Sequence, residues 1–432
     1  MNALLIVLLF TAGDPATATA TLTLERAIDT ALRNQPAVQQ ARASTEAAEG
    51  RVDQATSGLL PQIAINATYQ RTTGNFSPRP GATSSAVQMA PPWSTSTYNF
   101  FNAGVTASQL IYDFGQTPAR RRAAIAGKDA VQAAERTAAF NVRLAVLQAF
   151  FRARAQKALI GVARAGVDNQ QRHVDQIKGF TAAGLRPEID LARVKTDLAN
   201  ARVVLINTQN AYDLAKAQLD QSMGVSAPAP YDVADNDLPA VDGEDAAAAR
   251  LVEDALARRP ELTALERQRL AQTQVASSLK GAYGPSLAAT AAATETGTSL
   301  DRLVPNWLLG ATLSWPIFQG GLTRGQVREA NANVRVLDAQ LDAFRLQVRL
   351  EIEQALLAVR AAKASIDAVA EAETSAREQL RLAEGRYRTG LGNAIELSDA
   401  QQALFGAEAQ TVQAAFNLAS ARAQLLTALG KT

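Results

Sequence analysis

GLGNAIELSDA, Gly390–Ala400, and GLRPEIDLARV, Gly184–Val194, are two versions of one corner. In each a glycine suits the left-handed position that closes a helix. Asn393 or Pro187 then suits the start of the next helix, with an acid in its first turn. The two corners lie 206 residues apart, and that offset also carries Ile111, Gly115, Leu198, Leu219 and Gly224 onto Ile317, Gly321, Leu404, Leu425 and Gly430. Earlier in each half the offset is 224, with Ala31, Leu32, Pro36 and Pro61 recurring as Ala255, Leu256, Pro260 and Pro285. A constant offset over so long a stretch makes the chain an internal duplication.

The difference between the offsets falls between Pro61 and Ile111, where GNFSPRPGATSSAVQMAPPWSTST (Gly74–Thr97) reads as a long exposed loop. A second Pro-punctuated and acidic stretch, Val225–Asp245, joins the halves and reads as a connector outside the core. Each half then gives helix, strand, loop, strand, very long helix, tight turn and long helix. The expected division is a signal peptide over 1–20, N-terminal helices over 21–60 and a strand pair with its outer loop over 61–116. A helical hairpin over 117–224 and the acidic connector over 225–250 follow. The second repeat has a helix over 251–284, a strand pair over 285–319 and a hairpin over 320–430.

In the expected strands, Ile63, Ile65, Ala67 and Tyr69 alternate with Ala64, Asn66, Thr68 and Gln70, and Phe101, Ala103, Val105 and Ala107 with Asn102, Gly104, Thr106 and Ser108. Trp307, Leu309, Ala311, Leu313 and Trp315 repeat the pattern, so one face is apolar and the other small and polar. Pro61 and Pro285 end a helix and bias the preceding residue toward extended backbone, which fixes each switch point. From about Thr117 to Ala182 and from about Thr323 to Arg388 the only proline is Pro118, in the first turn, so each stretch predicts a helix about 100 Å long. Phe140, Leu144, Leu147, Phe151, Ala155, Ala158 and Val162 step by three or four, the stripe of a helix packed along another.

Composition excludes several functions. Of 432 residues, 47% are apolar but only 5% aromatic, which suits long, thin, closely packed helices. Lys plus Arg number 43 against 41 Asp plus Glu without a block of one sign, so nothing points to nucleic acid. Cysteine is absent and His173 is the single histidine, which removes thiol chemistry, Cys-bearing metal sites and most histidine catalysis. His173 itself reads as a polar residue on a helix face. No phosphate-binding loop or nucleophile–base set is present, and neither a cofactor nor a metal is expected. Ala3–Phe10 followed by Ala18-Thr19-Ala20 reads as an export signal.

No apolar run is long enough for a transmembrane helix, so a membrane-spanning form would use strands. Four strands cannot close a barrel, whose smallest examples have about eight, so several chains would pool theirs. Two acids, Glu396 and Asp399, stand just inside the helix after the second corner. A capping box from Asn393 to Glu396 accounts for Glu396, and the helix dipole for Asp190, equally well; Asp399, a turn further in, capping leaves unexplained.

The repeat, the proline switches, the junctions QLIYDFGQ (Gln109–Gln116) and WPIFQGG (Trp315–Gly321), and the corner RYRTGLGNAIELSDAQ (Arg386–Gln401) together resemble the TolC-like outer membrane efflux proteins, or outer membrane factors. The resemblance implies a mainly α fold with a β-barrel part: an internally duplicated α-barrel of long antiparallel hairpins, and four transmembrane strands per chain completing a twelve-stranded barrel in a homotrimer. It implies a bacterial outer-membrane location reaching into the periplasm, in contact with outer-membrane lipid. The partners it implies are a periplasmic adaptor and an inner-membrane pump of an efflux or type I secretion system. Carried over, Glu396 and Asp399 become acids ringing the inner aperture, Asp190 and Tyr387 a hydrogen-bonded closing pair, and Gly184 and Gly390 the tips that meet the adaptor. Gly392 stands where the family pattern has an arginine, with Arg186 or Arg388 as candidates to replace it. A soluble periplasmic coiled-coil adaptor or scaffold is the rival expectation.

Overall fold

The computed structural model describes residues 20–73, 97–226 and 230–431; the expected signal peptide and nearly all of the Gly74–Thr97 loop lie outside them. In chain order the elements are β1 (Ala20–Leu22), α1 (Leu24–Asn34), α2 (Pro36–Ser57), β2 (Gln62–Thr73), β3 (Thr97–Tyr112), α3 (Gln116–Ala182) and α4 (Glu188–Met223). After these come β4 (Tyr231–Val233), α5 (Ala248–Arg258), α6 (Pro260–Gly281), β5 (Ser286–Gly297), β6 (Val304–Ser314), α7 (Leu322–Arg388) and α8 (Ala394–Ala428). They form two compact units.

The unit made of Ala41–Arg136 and Pro260–Leu346 carries an antiparallel sheet in the order β2-β3-β5-β6. Residues directly opposite one another share a face. The register sets Ile65, Val105, Ala293 and Trp307 in one row and Ile63, Ala107, Ala291 and Leu309 in the next. A bulge between Leu110 and Tyr112 turns Tyr112 opposite Leu287, which faces Leu313, and so adds an aromatic to the apolar side. This side is bare: Trp307 is 83%, Ile65 80% and Leu309 75% exposed. The opposite side has rows such as Asn66, Gly104, Thr294 and Asn306, and its strand positions carry no charged residue; Arg71 and Glu295 fall on the apolar side near its loop end. At Gly104 a Cβ would come within 2.5 Å of Thr294 Cγ2, so glycine permits the close approach of β3 and β5. Among the described residues neither β2 nor β6 has a strand partner on its outer edge.

Pro61 and Pro285 directly precede β2 and β5. Where β3 becomes α3, Asp113 accepts the Thr117 N–H at 2.6 Å and so caps the helix. Phe114 takes a left-handed backbone (φ 56°) and sets its ring against Gly284, where a Cβ would fall 2.1 Å from it. The repeat solves the same bend with glycine: Gly320, the counterpart of Phe114, has φ 60°.

The other unit comprises Met1–Gln40, Thr137–Arg259 and Gln347–Thr432. Its first core joins Ala27, Ala31 and Val38 to Val146, Phe150 and Phe151 of α3, Leu219 and Met223 of α4, and Ala419 and Ala423 of α8. Phe140, Leu147 and Phe151 of the expected stripe are buried, but Ala158 is exposed and Ala153 and Ala163 are buried instead. A helix of 3.6 residues per turn drifts off any fixed step of three and four over this length.

The connector corrects the expectation that it lies outside the core. β4 pairs in parallel with β1, and Val233 and Ala234 belong to the first core. Polar anchors hold it down: Arg154 reaches Asp235 and Asp237, Lys157 reaches Asp232, and Tyr212 donates to Asp232 at 2.6 Å. The buried Glu244 carboxylate accepts from both sides of the Arg422 fork at 3.0 and 3.1 Å, from Lys363 at 2.7 Å and from the Val241 N–H at 3.0 Å. Acidity in this stretch therefore serves attachment, since Asp232, Asp235, Asp237, Glu244 and Asp245 meet cations projecting from long helices.

Candidate aperture at the hairpin turns

The two quoted corners have the same backbone. Gly184 and Gly390 are left-handed, with φ of 72° and 79°. Leu185 N donates to Phe180 O at 2.9 Å and Gly184 N to Thr181 O at 3.0 Å; Leu391 N donates to Arg386 O at 3.0 Å and Gly390 N to Tyr387 O at 3.2 Å. This doubled bond pattern is the Schellman cap, which satisfies the last carbonyls of α3 and α7. Gly224 and Gly430 repeat it at the ends of α4 and α8. The openings differ: Pro187 caps α4 with no side-chain bond, whereas Asn393 accepts the Glu396 N–H at 2.7 Å.

Behind the turns lies a core drawn from four helices: Val174 and Ile177 of α3, Val194 and Leu198 of α4, Leu380 and Tyr387 of α7, and Leu397 and Ala400 of α8. The expected aperture acids stand outside it. Glu396 and Asp399, three residues apart, share one side of α8, and Asp399 is exposed. Only half the capping box forms: the Glu396 N–H takes Asn393, while its carboxylate meets Arg386 Nε at 3.1 Å.

Within one chain the expected closing pair makes no hydrogen bond: Tyr387 is 2% exposed and its hydroxyl has no partner there. The reason is the way the ring is held: the Arg186 guanidinium lies 4.8 Å from its centroid, and the His173 ring meets it edge-on at 5.6 Å. Asp190 is half-buried and acts on Tyr387 only through its charge. Burial raises the Tyr387 phenol above its ordinary value, with Arg186 opposing and Asp190 adding to the rise.

Of the two arginines expected to stand in at Gly392, Arg186 reaches this cluster, whereas Arg388 turns its Nε back to Glu384 O at 3.3 Å. Gly392 itself is closely packed: a Cβ there would lie 3.0 Å from Tyr387 N and 3.2 Å from Arg386 C, so a side chain needs a small shift of its neighbours. The helix face that carries His173 turns inward: the residue is 4% exposed, inside the bundle. Its spacing with Ile177 and Phe180 along one helical stripe was the available signal. Arg386, the partner of Glu396, had no such signal.

A family model described as outer membrane efflux protein matches residues 27–225 and 251–431. The chain belongs to the outer membrane efflux protein family. The two matched segments are the two repeats, and the gap between them falls within the connector. Among relatives, the toluene efflux pump outer membrane protein TtgF of Pseudomonas putida is 26% identical over 417 residues, covering 93% of this chain and 82% of its own. Protein CyaE of Bordetella pertussis is 25% identical over 417 residues, covering 95% of this chain and 84% of its own. In fold the chain is similar to the CmeC outer membrane channel of Campylobacter jejuni, with TM-score 0.82 at 19% identity over 94% of this chain and 85% of CmeC. As an outer membrane efflux protein it acts in the outer membrane as an export channel, and the soluble-adaptor alternative falls.

Proposed function

We propose that three copies of this chain form a passive exit duct, opened at the hairpin turns by a periplasmic adaptor and an inner-membrane pump. The observation that carries the reading is the sheet: a mainly apolar face across four strands, its charges confined to the loop end, with both outer edges unpaired among the described residues. Strand edges do not persist in hydrocarbon, so sister chains supply the missing partners. TtgF is named as part of a toluene efflux pump, which supports the placing beside a pump.

Glu396 and Asp399 are the proposed aperture acids, tripled by symmetry into a ring that attracts cations. Gly184 and Gly390 are the proposed adaptor-docking tips, with Leu185 and Leu391 exposed beside them. Asp190 and Tyr387 keep a proposed part in closing the turns, through the packing and charge described above. The test is a detergent-solubilised mass measurement with planar-bilayer recording. A three-chain mass and small cation-selective currents, less selective in the Glu396→Gln, Asp399→Asn double variant, are expected. A detergent-independent monomer sinks the duct, and unchanged selectivity removes the acids from the aperture.

A further inference from the structure

The only histidine in the chain is placed where a proton would matter. His173 projects from α3 into the four-helix core behind the turns, and its Nε2 is buried without a hydrogen-bond partner. Charged and titratable groups face it from every side. Tyr387 of α7 packs edge-on at 5.6 Å, and Arg186 of the first turn lies over the Tyr387 ring at 4.8 Å. Asp197 of α4 acts on it by charge and is itself tied to Ser398 of α8 at 3.2 Å. Gln170, one turn earlier on α3, donates to the buried Gln401 of α8 at 3.0 Å.

We propose that His173 is a proton-sensitive latch: its neutral ring holds α7 against α3 and α4 at the turns, and protonation loosens them. Two observations carry this. A second positive charge arriving beside the Arg186–Tyr387 stack meets Asp197, which also accepts from Ser398, while Asp190 acts by charge on Tyr387 and not on His173. Imidazolium also needs two hydrogen-bond acceptors, and Nε2 here has none. Burial lowers the His173 pKa below its ordinary 6.5, and Asp197 only partly offsets it. The sign follows: the packed turns favour the neutral ring, so their stability is full above the ordinary value and is lost as pH falls beneath it. Acidification of the periplasmic side thus makes the turns easier to part. This rests on the reading that the turns gate the duct.

The experiment uses the untagged full chain, in which ring-labelled histidine gives one NMR signal. Amide exchange of 181–190 is followed on the same sample, and bilayer currents are recorded between about pH 7.5 and 5.5. The expected results are an imidazole that titrates below its ordinary value, lower amide protection in acid once the slower intrinsic exchange is divided out, and a roughly threefold rise in open time. His173→Phe and His173→Gln abolish the rise, while the Glu396→Gln, Asp399→Asn double variant keeps it. Titration at or above the ordinary value, amide protection that ignores pH, or a rise that survives in both His173 variants overturns the latch. Titration and exchange need no current, so the latch and the duct fail separately.

Discussion

Replacing Glu244 with Gln tests whether the connector is structural. The carboxylate is 5% exposed and holds Arg422, Lys363 and the Val241 N–H at once. Burial pushes its pKa up, but the Arg422 and Lys363 donors outweigh burial and hold it at about 2, from an ordinary 4.5. That displacement corresponds to about 3 kcal/mol of stability, in keeping with the cost of breaking a buried ion pair. Glutamine keeps the size and can still accept from Val241, but leaves two cations facing a neutral group. In a unit of this size, about 3 kcal/mol lowers the melting temperature by about 6 °C. Thermal unfolding of the detergent-solubilised protein at neutral pH, followed by circular dichroism, measures it. Because the folded pKa is depressed, the advantage over Glu244→Gln is present above 4.5 and disappears as pH falls toward 2. A variant melting within about 1 °C of the parent at neutral pH refutes the reasoning.

Trp307→Lys and Asn306→Lys separate the two sides of the sheet. On the apolar side lysine costs about 2–4 kcal/mol in lipid and should empty the outer-membrane fraction, whereas the adjacent polar side should tolerate it. Equal recovery of both would assign the faces wrongly. Gly390→Ala has open space around its Cβ, so the penalty is the left-handed backbone alone, about 1 kcal/mol. Amide exchange at Leu391 and Gly392 should quicken about fivefold, and an unchanged rate would mean the cap contributes nothing.

The duplicated plan was legible because its signals are local and repeat. Pro61 and Pro285, the alternating strands and the glycine corners each follow from backbone chemistry that depends on near neighbours only. The connector was not, because burial of Val233 and pairing of β4 with β1 join residues some two hundred positions apart. The same limit governs the turns. Gly184 and Gly390 could be placed from sequence, but the Tyr387 ring chose Arg186 and His173 over Asp190 by packing among four helices. Composition alone also left the acidity of the connector unexplained: most of its carboxylates meet distant Arg and Lys residues, Arg154 serving two of them and Glu244 taking two cations.

The equal arms carry an evolutionary constraint. α3 and α7 are each 67 residues long, follow β3 and β6 of one sheet and end in turns that share a core. Seven residues inserted into one arm alone would carry its turn about 10 Å past the other and pull the shared core apart. Such a protein can grow longer or shorter only by compensated changes in both repeats. Unpaired insertions should therefore collect in the strand hairpins, where the two halves already differ in length, and in the connector between them.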